Sequence, residues 1–408
     1  MALMSEFITA PSEGTPQLIA GAAAIRQAAD RLAQGTGWCA VDTERTSGFR
    51  YHNRVCLLQI RRAGAGTMLI DVESDPQATT DFMGRVLANT GWVVHAATSD
   101  LPYLEQLQLR PAQLFDTELA GRFLGFHRVN LAAMVEHYLG VRLRKNHGGE
   151  DWSRRPIPSE WLDYAALDVE YLLPLADAMR SELTQQSPKD EWVAEECDYL
   201  IRVYRGYSPT PKSWEDLKGV RRLQTSKQLQ VARWLWQVRE KLAQASDTAV
   251  SRLLPDKTLV ALATELPTTV PKVINTTGYP PRLRRKARYW ANQVDKALRT
   301  SRERWPEPFP IPTHRDKPPS RYTWSRYYSE SFPALTLVRE ELTRVAAQVN
   351  IPMENMIQSS DTNEIVWRSQ ELKEVTDATE LLELLRRLQI RPWQQKLCLP
   401  IFTSILLP

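Results

Sequence analysis

Apolar positions in the first half of the chain fall into short runs whose period changes from helical to alternating and back. From Ile19 to Leu32 small and apolar residues recur at helical spacing, and Gly35 and Gly37 close that helix. "WCAVDTE" (38–44), "RVCLLQIRR" (54–62) and "TMLIDV" (67–72) are rich in β-branched and aromatic residues and read as three strands. Residues Arg45 to Arg54, with Ser47-Gly48 among them, make the turn of a hairpin between the first two. "GWVVHAA" (91–97) reads as a fourth strand, and "DLPYLEQL" opens a helix with Asp100 near its start. From about Phe115 the pattern turns helical through Leu139. The polar loop "RKNHGGEDWSRRPIPSE" then leads into a helix from Glu160 to about Leu183. Strands first, with helices interleaved and following, predict an α/β domain over residues 1–205.

Beyond "SPTPKSWEDLKGV" the periodicity is helical throughout. "KQLQVARWLWQVREKLAQ" sets Val231, Leu235, Val238 and Leu242 on one stripe, and "PPRLRRKARYWANQVDKAL" does the same with Leu283, Ala287, Trp290 and Val294. A helical bundle over 215–302 is the expectation. Trp234, Trp236 and Trp290 suit its core better than they suit base stacking. Six prolines between Pro306 and Pro319 leave room for little regular structure, so 303–320 reads as a Pro-rich linker. An amphipathic stretch from Pro333 to Gln348, the short "IPMENMI" and "ATELLELLRRLQIRPWQQKLCLPIF" repeat the earlier order. They predict a degenerate second helical bundle over 321–408.

Composition narrows the function class. No stretch approaches the ~20 apolar residues of a membrane span, and the first residues show no cationic patch before an apolar core, so a cytoplasmic protein is expected. Cys39, Cys56, Cys197 and Cys398 lack CxxC spacing, which argues for reduced, buried thiols over a zinc knuckle or a disulfide framework. Charge is unevenly spread: residues 1–200 carry 18 Lys/Arg against 27 Asp/Glu, and residues 219–318 carry 20 against 8. An acidic block followed by a basic one fits a carboxylate-bearing catalytic unit joined to a module that grips a polyanion. A solvated, Arg-rich helical surface is the plainer alternative.

The acids of the first block are placed to meet. Asp42 and Glu44 point to one face of a strand end, because side chains alternate with period two. Two like charges side by side require either an exposed edge or a cation. Asp100 follows directly on the fourth strand, and Tyr164 and Asp168 are four apart on one helical face. Three such segments can converge into four carboxylates, a set of hard oxygen ligands suited to Mg²⁺ or Mn²⁺. Two ions about 3.5–4 Å apart would clamp both oxygens of a phosphodiester displacement.

The order "DTE", "HAATSD", "YAALD" resembles the DEDD exonuclease superfamily in its tyrosine-bearing subclass, and more narrowly ribonuclease D. The helical stretch from about residue 219 resembles the helicase and ribonuclease D C-terminal (HRDC) domain, with a second related copy behind it. The resemblance implies a ribonuclease-H-like α/β domain, a mixed sheet flanked by helices, followed by two all-α helical-bundle domains. It implies a 3′ to 5′ exoribonuclease that trims tRNA or other structured RNA precursors and releases nucleoside 5′-monophosphates. Asp42, Glu44, Asp100 and Asp168 would bind two divalent cations, Mg²⁺ or Mn²⁺, with Asp42 shared, and Tyr164 would orient the attacking water. Many relatives follow "DTE" with a bulky apolar residue; here Arg45 stands there and offers stacking or charge to the terminal nucleotide. Further expected nucleic-acid contacts are Gln59, Lys145, His147, Arg284, Arg285 and Arg288, whereas His95 reads as a hydrogen-bonded core histidine. The expected partner is the single-stranded 3′ tail of a structured RNA, with no membrane, no nucleotide cofactor and a monomeric state. A DNA exonuclease of repair and a non-catalytic RNA-binding scaffold are the competing readings.

Overall fold

The computed structural model describes residues 7–144, 147–309 and 317–407. Six strands form one sheet: β1 (Leu18–Ile19), β2 (Thr36–Arg45), β3 (Val55–Ala63), β4 (Gly66–Asp71), β5 (Gly91–Val94) and β6 (Gln113–Asp116), in the order β1-β4-β3-β2-β5-β6. β2, β3 and β4 run antiparallel to their neighbours in that trio, while β1, β5 and β6 add in parallel, so the sheet is mixed. β6 departs from the sequence reading, which placed Phe115 in a helix. Its four residues are too few to display an alternating period, and only pairing with β5 (Val93 with Phe115, Val94 with Asp116) fixes them as extended.

Each face of the sheet has its own cover. Val41, Leu58, Ile60, Met68 and Ile70 lie in one cluster with Ile25, Ala28 and Leu32 of α1 (Ala22–Gln34). The opposite face presents Leu57 and Leu69 to Trp161, Ala165 and Ala166. The short helices α2 (Leu101–Gln106), α3 (Thr117–Phe123) and α4 (Leu131–Leu139) follow β5 and β6. The single helix expected from Glu160 to Leu183 is two, α5 (Ser159–Glu170) and α6 (Leu172–Gln185). Pro174 explains the break: inside a continuous helix its ring would clash with the carbonyl of Glu170, whereas in the first turn of α6 its missing N–H costs nothing. α7 (Lys189–Tyr204) completes the unit.

The basic half of the chain is a helical unit with a core of its own. It is built on α8 (Ser226–Ser246), α9 (Asp256–Glu265) and α10 (Ala287–Leu298). Leu283, Ala287, Trp290 and Val294 are buried as their spacing predicts. On α8 the stripe is displaced: Leu242 is exposed, and the buried face runs through Leu229, Ala232, Leu235, Arg239 and Ala243. A charged residue hides this face in the sequence, because the Arg239 guanidinium is held inside through Nη1 by Asp256 Oδ1 (2.6 Å) and the Leu254 carbonyl (2.9 Å). The start of the Pro-rich segment also belongs to this unit. Trp305 donates to Thr300, and the Phe309 ring packs on Trp214 with Arg221 over it. Residues 310–316 of that segment lie outside the described residues.

The last unit contains α11 (Phe332–Gln348), α12 (Ser359–Gln370), α13 (Ala378–Arg387) and α14 (Pro392–Leu406). Its core is continuous with that of the α/β unit. Trp393 stacks on Trp192 of α7 at 5.0 Å and meets Phe123 of α3 edge-on at 5.2 Å. Glu196 accepts from the Arg391 guanidinium and from Trp393 Nε1 (2.8 Å). Truncating Trp393 to alanine removes a buried aromatic anchor, a change that costs about 3–5 kcal/mol in cores. The basic unit docks elsewhere, on the β2–β3 hairpin turn. Asp247 accepts from the Tyr51 and His52 amides (3.2 and 3.4 Å) and pairs with Arg54 (3.2 Å), while Arg252 donates to the Gly48 carbonyl (2.8 Å). Among the described residues no helix is long and apolar enough to cross a membrane.

Candidate active site

A cleft of about 640 Å³ opens where β2 ends, and Asp42, Glu44, Arg45, Asp100, His147, Tyr164 and Asp168 all line it. Strand alternation sets Asp42 and Glu44 on the face covered by α5, which carries Tyr164 and Asp168 one turn apart. One carboxylate oxygen from each of Asp42, Glu44 and Asp168 lies within 4.8 Å of the other two. Asp100 borders the same cleft, but its Oδ1 accepts a 2.5 Å hydrogen bond from the hydroxyl of Thr43, the residue between the two strand acids.

Two residues not singled out from the sequence hold Asp100 in place. Thr43 supplies that hydrogen bond. Asp116, at the end of β6, accepts from the amides of Ala96 (2.9 Å) and Ala97 (2.8 Å) as well as capping α3 through Glu118 N (2.9 Å). Ala96 is left-handed (φ 60°), a conformation alanine adopts at a cost, and these bonds stabilise it. The Asp100 amide then bonds back to Ala97 O, so the turn carrying Asp100 is fixed from β6. The only local signal for Asp116 is an acid directly before a helix.

The electrostatics are those of crowded anions. Burial, then Asp100 and Asp168, hold the Asp42 carboxyl well above the usual range, although Asp42 keeps some surface open to the cleft. Burial, then Asp42, Asp168 and Asp100, do the same to Glu44. Burial pushes Asp100 up to about 6 against the opposing pull of the Thr43 hydroxyl and Arg45. Burial raises the Tyr164 hydroxyl too, followed by Asp168, Glu44 and Asp42, which keeps it protonated at neutral pH. Convergent carboxylates of this kind are the donor set that a divalent ion fits.

The remaining predicted positions divide. The Arg45 guanidinium lies 4.6 Å from the Tyr103 ring centroid and donates to the Ser99 carbonyl. One face of the guanidinium is thus engaged, and the group lines the cleft with its charge. His147, left-handed at φ 63°, stands edge-on to Tyr164 at 6.1 Å, and Trp152 lies 6.4 Å from the same ring. His95 bonds Thr117 Oγ1 through Nδ1 (2.9 Å) as a hydrogen-bonded histidine, but it is half-buried and lines the same cleft, not the core. Gln59 is a correction: it is 0% exposed, beneath α5, and contact with a nucleic acid is closed to it. Lys145 lies outside the described residues. Arg284, Arg285 and Arg288 are exposed, away from the cleft on the basic unit; neighbouring Arg282 bonds the Ser251 carbonyl, next to the docking residue Arg252.

Comparison with known proteins follows the same three units. Residues 16–184 match the 3′-5′ exonuclease domain family, 228–289 the HRDC domain, and 317–406 the 3′ to 5′ exonuclease C-terminal domain. A ribonuclease D from Acidiphilium cryptum is 31% identical over 263 residues, which make up 63% of this chain and 65% of that protein. The chain thus spans just under two thirds of the length of that relative. A crystal structure of a protein from Bifidobacterium adolescentis aligns over 98% of this chain and 99% of its own, at 31% identity and a TM-score of 0.83. Escherichia coli RNase D, described as an exoribonuclease involved in structured RNA processing, shares the fold (TM-score 0.62; 91% and 98% covered) at 21% identity.

Proposed function

The chain belongs to the DEDD 3′-5′ exonucleases of the ribonuclease D type, and on that premise we propose that it removes nucleotides from the 3′ ends of RNA. The observation that carries the reading is the convergence of carboxylates from a strand end and a helix, with Tyr164 one turn before Asp168. Asp42, Glu44, Asp100 and Asp168 would hold two divalent cations, Mg²⁺ or Mn²⁺. Bound there, the ions would lower the pKa of the attacking water and stabilise the leaving 3′ oxygen.

The chain's own residues divide the rest. The Tyr164 hydroxyl, kept protonated and donating to Asp168, accepts from the attacking water and fixes its line of approach. The rings of His147 and Trp152 brace Tyr164, and Thr43 with Asp116 keeps Asp100 at the rim. Arg45 supplies positive charge to the cleft mouth, where a phosphodiester has to approach four acids. In this reading the 219–318 segment, with 20 Lys/Arg against 8 Asp/Glu, binds RNA phosphates outside the cleft. The substrate is then the single-stranded 3′ tail of a structured RNA such as a tRNA precursor, the products are nucleoside 5′-monophosphates, and the working unit is a monomer. Side-by-side digestion of matched RNA and DNA single strands in Mg²⁺ tests this: faster loss of RNA supports it, and preferential loss of DNA overturns the substrate class.

A further inference from the structure

One buried polar group has no role in the site as described. Gln59 stands on β3 directly across from Asp42 of β2, with Leu69 of β4 on its other side. It is wholly buried, and among the described residues neither its Nε2 nor its Oε1 meets a hydrogen-bond partner. Its apolar neighbours on this face are Leu57 and Leu69, with Trp161, Ala165 and Ala166 of α5 above, and the directly opposed polar group is Asp42. An apolar side chain of the same size would fill this position without the cost of leaving an amide donor and acceptor unsatisfied. Directly opposed side chains on neighbouring strands sit about 4.5–5.5 Å apart at Cβ. The Asp42 carboxylate is therefore the charged group that a Gln59 amide can reach.

We propose that Gln59 is a positioning residue for Asp42: its Nε2–H₂ donates to the Asp42 carboxylate once cations occupy the site, and so fixes which oxygens of Asp42 face them. The inference rests on the metal-dependent reading above. An outer hydrogen-bond partner of this kind sets the orientation of a ligating carboxylate, and its loss typically weakens metal affinity about 10–100-fold. Small Ala165, in the helical turn between Trp161 and Asp168, leaves the carboxamide room beneath α5. Gln59 touches neither substrate nor the reacting atoms, and its effect passes through Asp42 alone.

The test is Gln59→Met in the full chain, with Mg²⁺ binding measured by calorimetry without RNA, alongside kcat and KM on a short RNA. In EDTA the variant should melt at the wild-type temperature or above it, because the unsatisfied amide is gone. Its Mg²⁺ affinity should fall at least 10-fold, and kcat should fall while KM for RNA holds. Wild-type Mg²⁺ affinity and kcat in a folded Gln59→Met protein overturn the proposal. Should the methionine variant fail to fold, the side-chain amide signals of Gln59 in labelled wild-type protein, assigned with Gln59→Asn, decide it: a shift on adding Mg²⁺ supports the bond, and indifference overturns it. Wild-type protein that neither binds Mg²⁺ nor degrades RNA would instead overturn the underlying reading, an outcome distinct from equal behaviour of the two proteins.

Discussion

Replacing Asp42 by asparagine should stabilise the metal-free protein while abolishing its response to Mg²⁺. Oxygens of Asp42, Glu44 and Asp168 lie within 4.8 Å of one another. At an effective dielectric near 20, two unit charges at that separation repel by about 3.5 kcal/mol. Part of this is relieved by protonation, since Asp42 and Glu44 hold protons above the usual range, and the asparagine amide remains enclosed. A net gain of about 1–3 kcal/mol at pH 8 in EDTA is the expectation, or roughly 2–10 °C in Tm for a unit of this size. The sign with pH follows from the direction of the shifts. An acid whose folded pKa is raised is free of penalty below its unfolded value, and loses stability as pH climbs through its folded value. For Asp100 that window runs from the ordinary 3.8 to about 6, and burial with like charges shifts Asp42 and Glu44 in the same upward direction. The gain from Asp42→Asn should therefore be large at pH 8 and shrink towards pH 4. Mg²⁺ at 100 times its dissociation constant should add about 2.7 kcal/mol to the wild type and far less to the variant. Differential scanning calorimetry at both pH values, with EDTA and with Mg²⁺, reads all four quantities. A lower Tm for Asp42→Asn at pH 8 in EDTA, or a gain that does not change with pH, would refute the charge-crowding argument.

Other perturbations separate the parts of the site. Tyr164→Phe keeps the ring against His147 and Trp152 and should cut the single-turnover rate about 10–100-fold, the scale of one lost aligning contact, with Mg²⁺ affinity from calorimetry unchanged; an unaltered rate removes Tyr164 from the mechanism. Thr43→Val deletes the hydroxyl held by Asp100 and should lower Mg²⁺ affinity without unfolding the protein, as circular dichroism and titration would show. Charge reversal at Arg284, Arg285 and Arg288 should flatten the salt dependence of long-RNA binding, since each neutralised phosphate releases counterions; hydrolysis of short oligonucleotides should stay at the wild-type rate. Asp247→Ala breaks the latch to Tyr51, His52 and Arg54 and should increase protease sensitivity between the α/β and basic units, with short-RNA turnover retained.

The acids were legible because their spacing encodes geometry by itself. Asp42 and Glu44 two apart on a strand, and Tyr164 and Asp168 four apart on a helix, each define a face without reference to the rest of the chain. What escaped the sequence depends on long-range pairing. β6 is extended because β5 lies beside it, and four residues carry no period of their own. Arg239 obscured the buried face of α8 because a charged residue reads as solvent-facing until Asp256 and the Leu254 carbonyl are brought to it. Gln59 read as a nucleic-acid contact because strand alternation reports a face and not what covers it. The α/β core extends into the last helical unit through Trp192, Trp393 and Glu196, whose partners lie about 200 residues away in sequence. No local pattern marks that contact. Thr43 and Asp116 went unnoticed for a related reason: each acts on Asp100 across strand pairings, where neither spacing nor composition gives a signal.

In the proposed function the convergent acids drive stepwise, metal-dependent hydrolysis from an RNA 3′ end. Incubating a 5′-labelled single-stranded RNA with the wild-type chain and with Asp42→Asn, in Mg²⁺ and in EDTA, tests it most directly. A ladder that shortens one nucleotide at a time from the 3′ end with release of nucleoside 5′-monophosphates is expected, and only for the wild type in Mg²⁺. Internal cleavage, or a ladder that persists in EDTA or with Asp42→Asn, would contradict it.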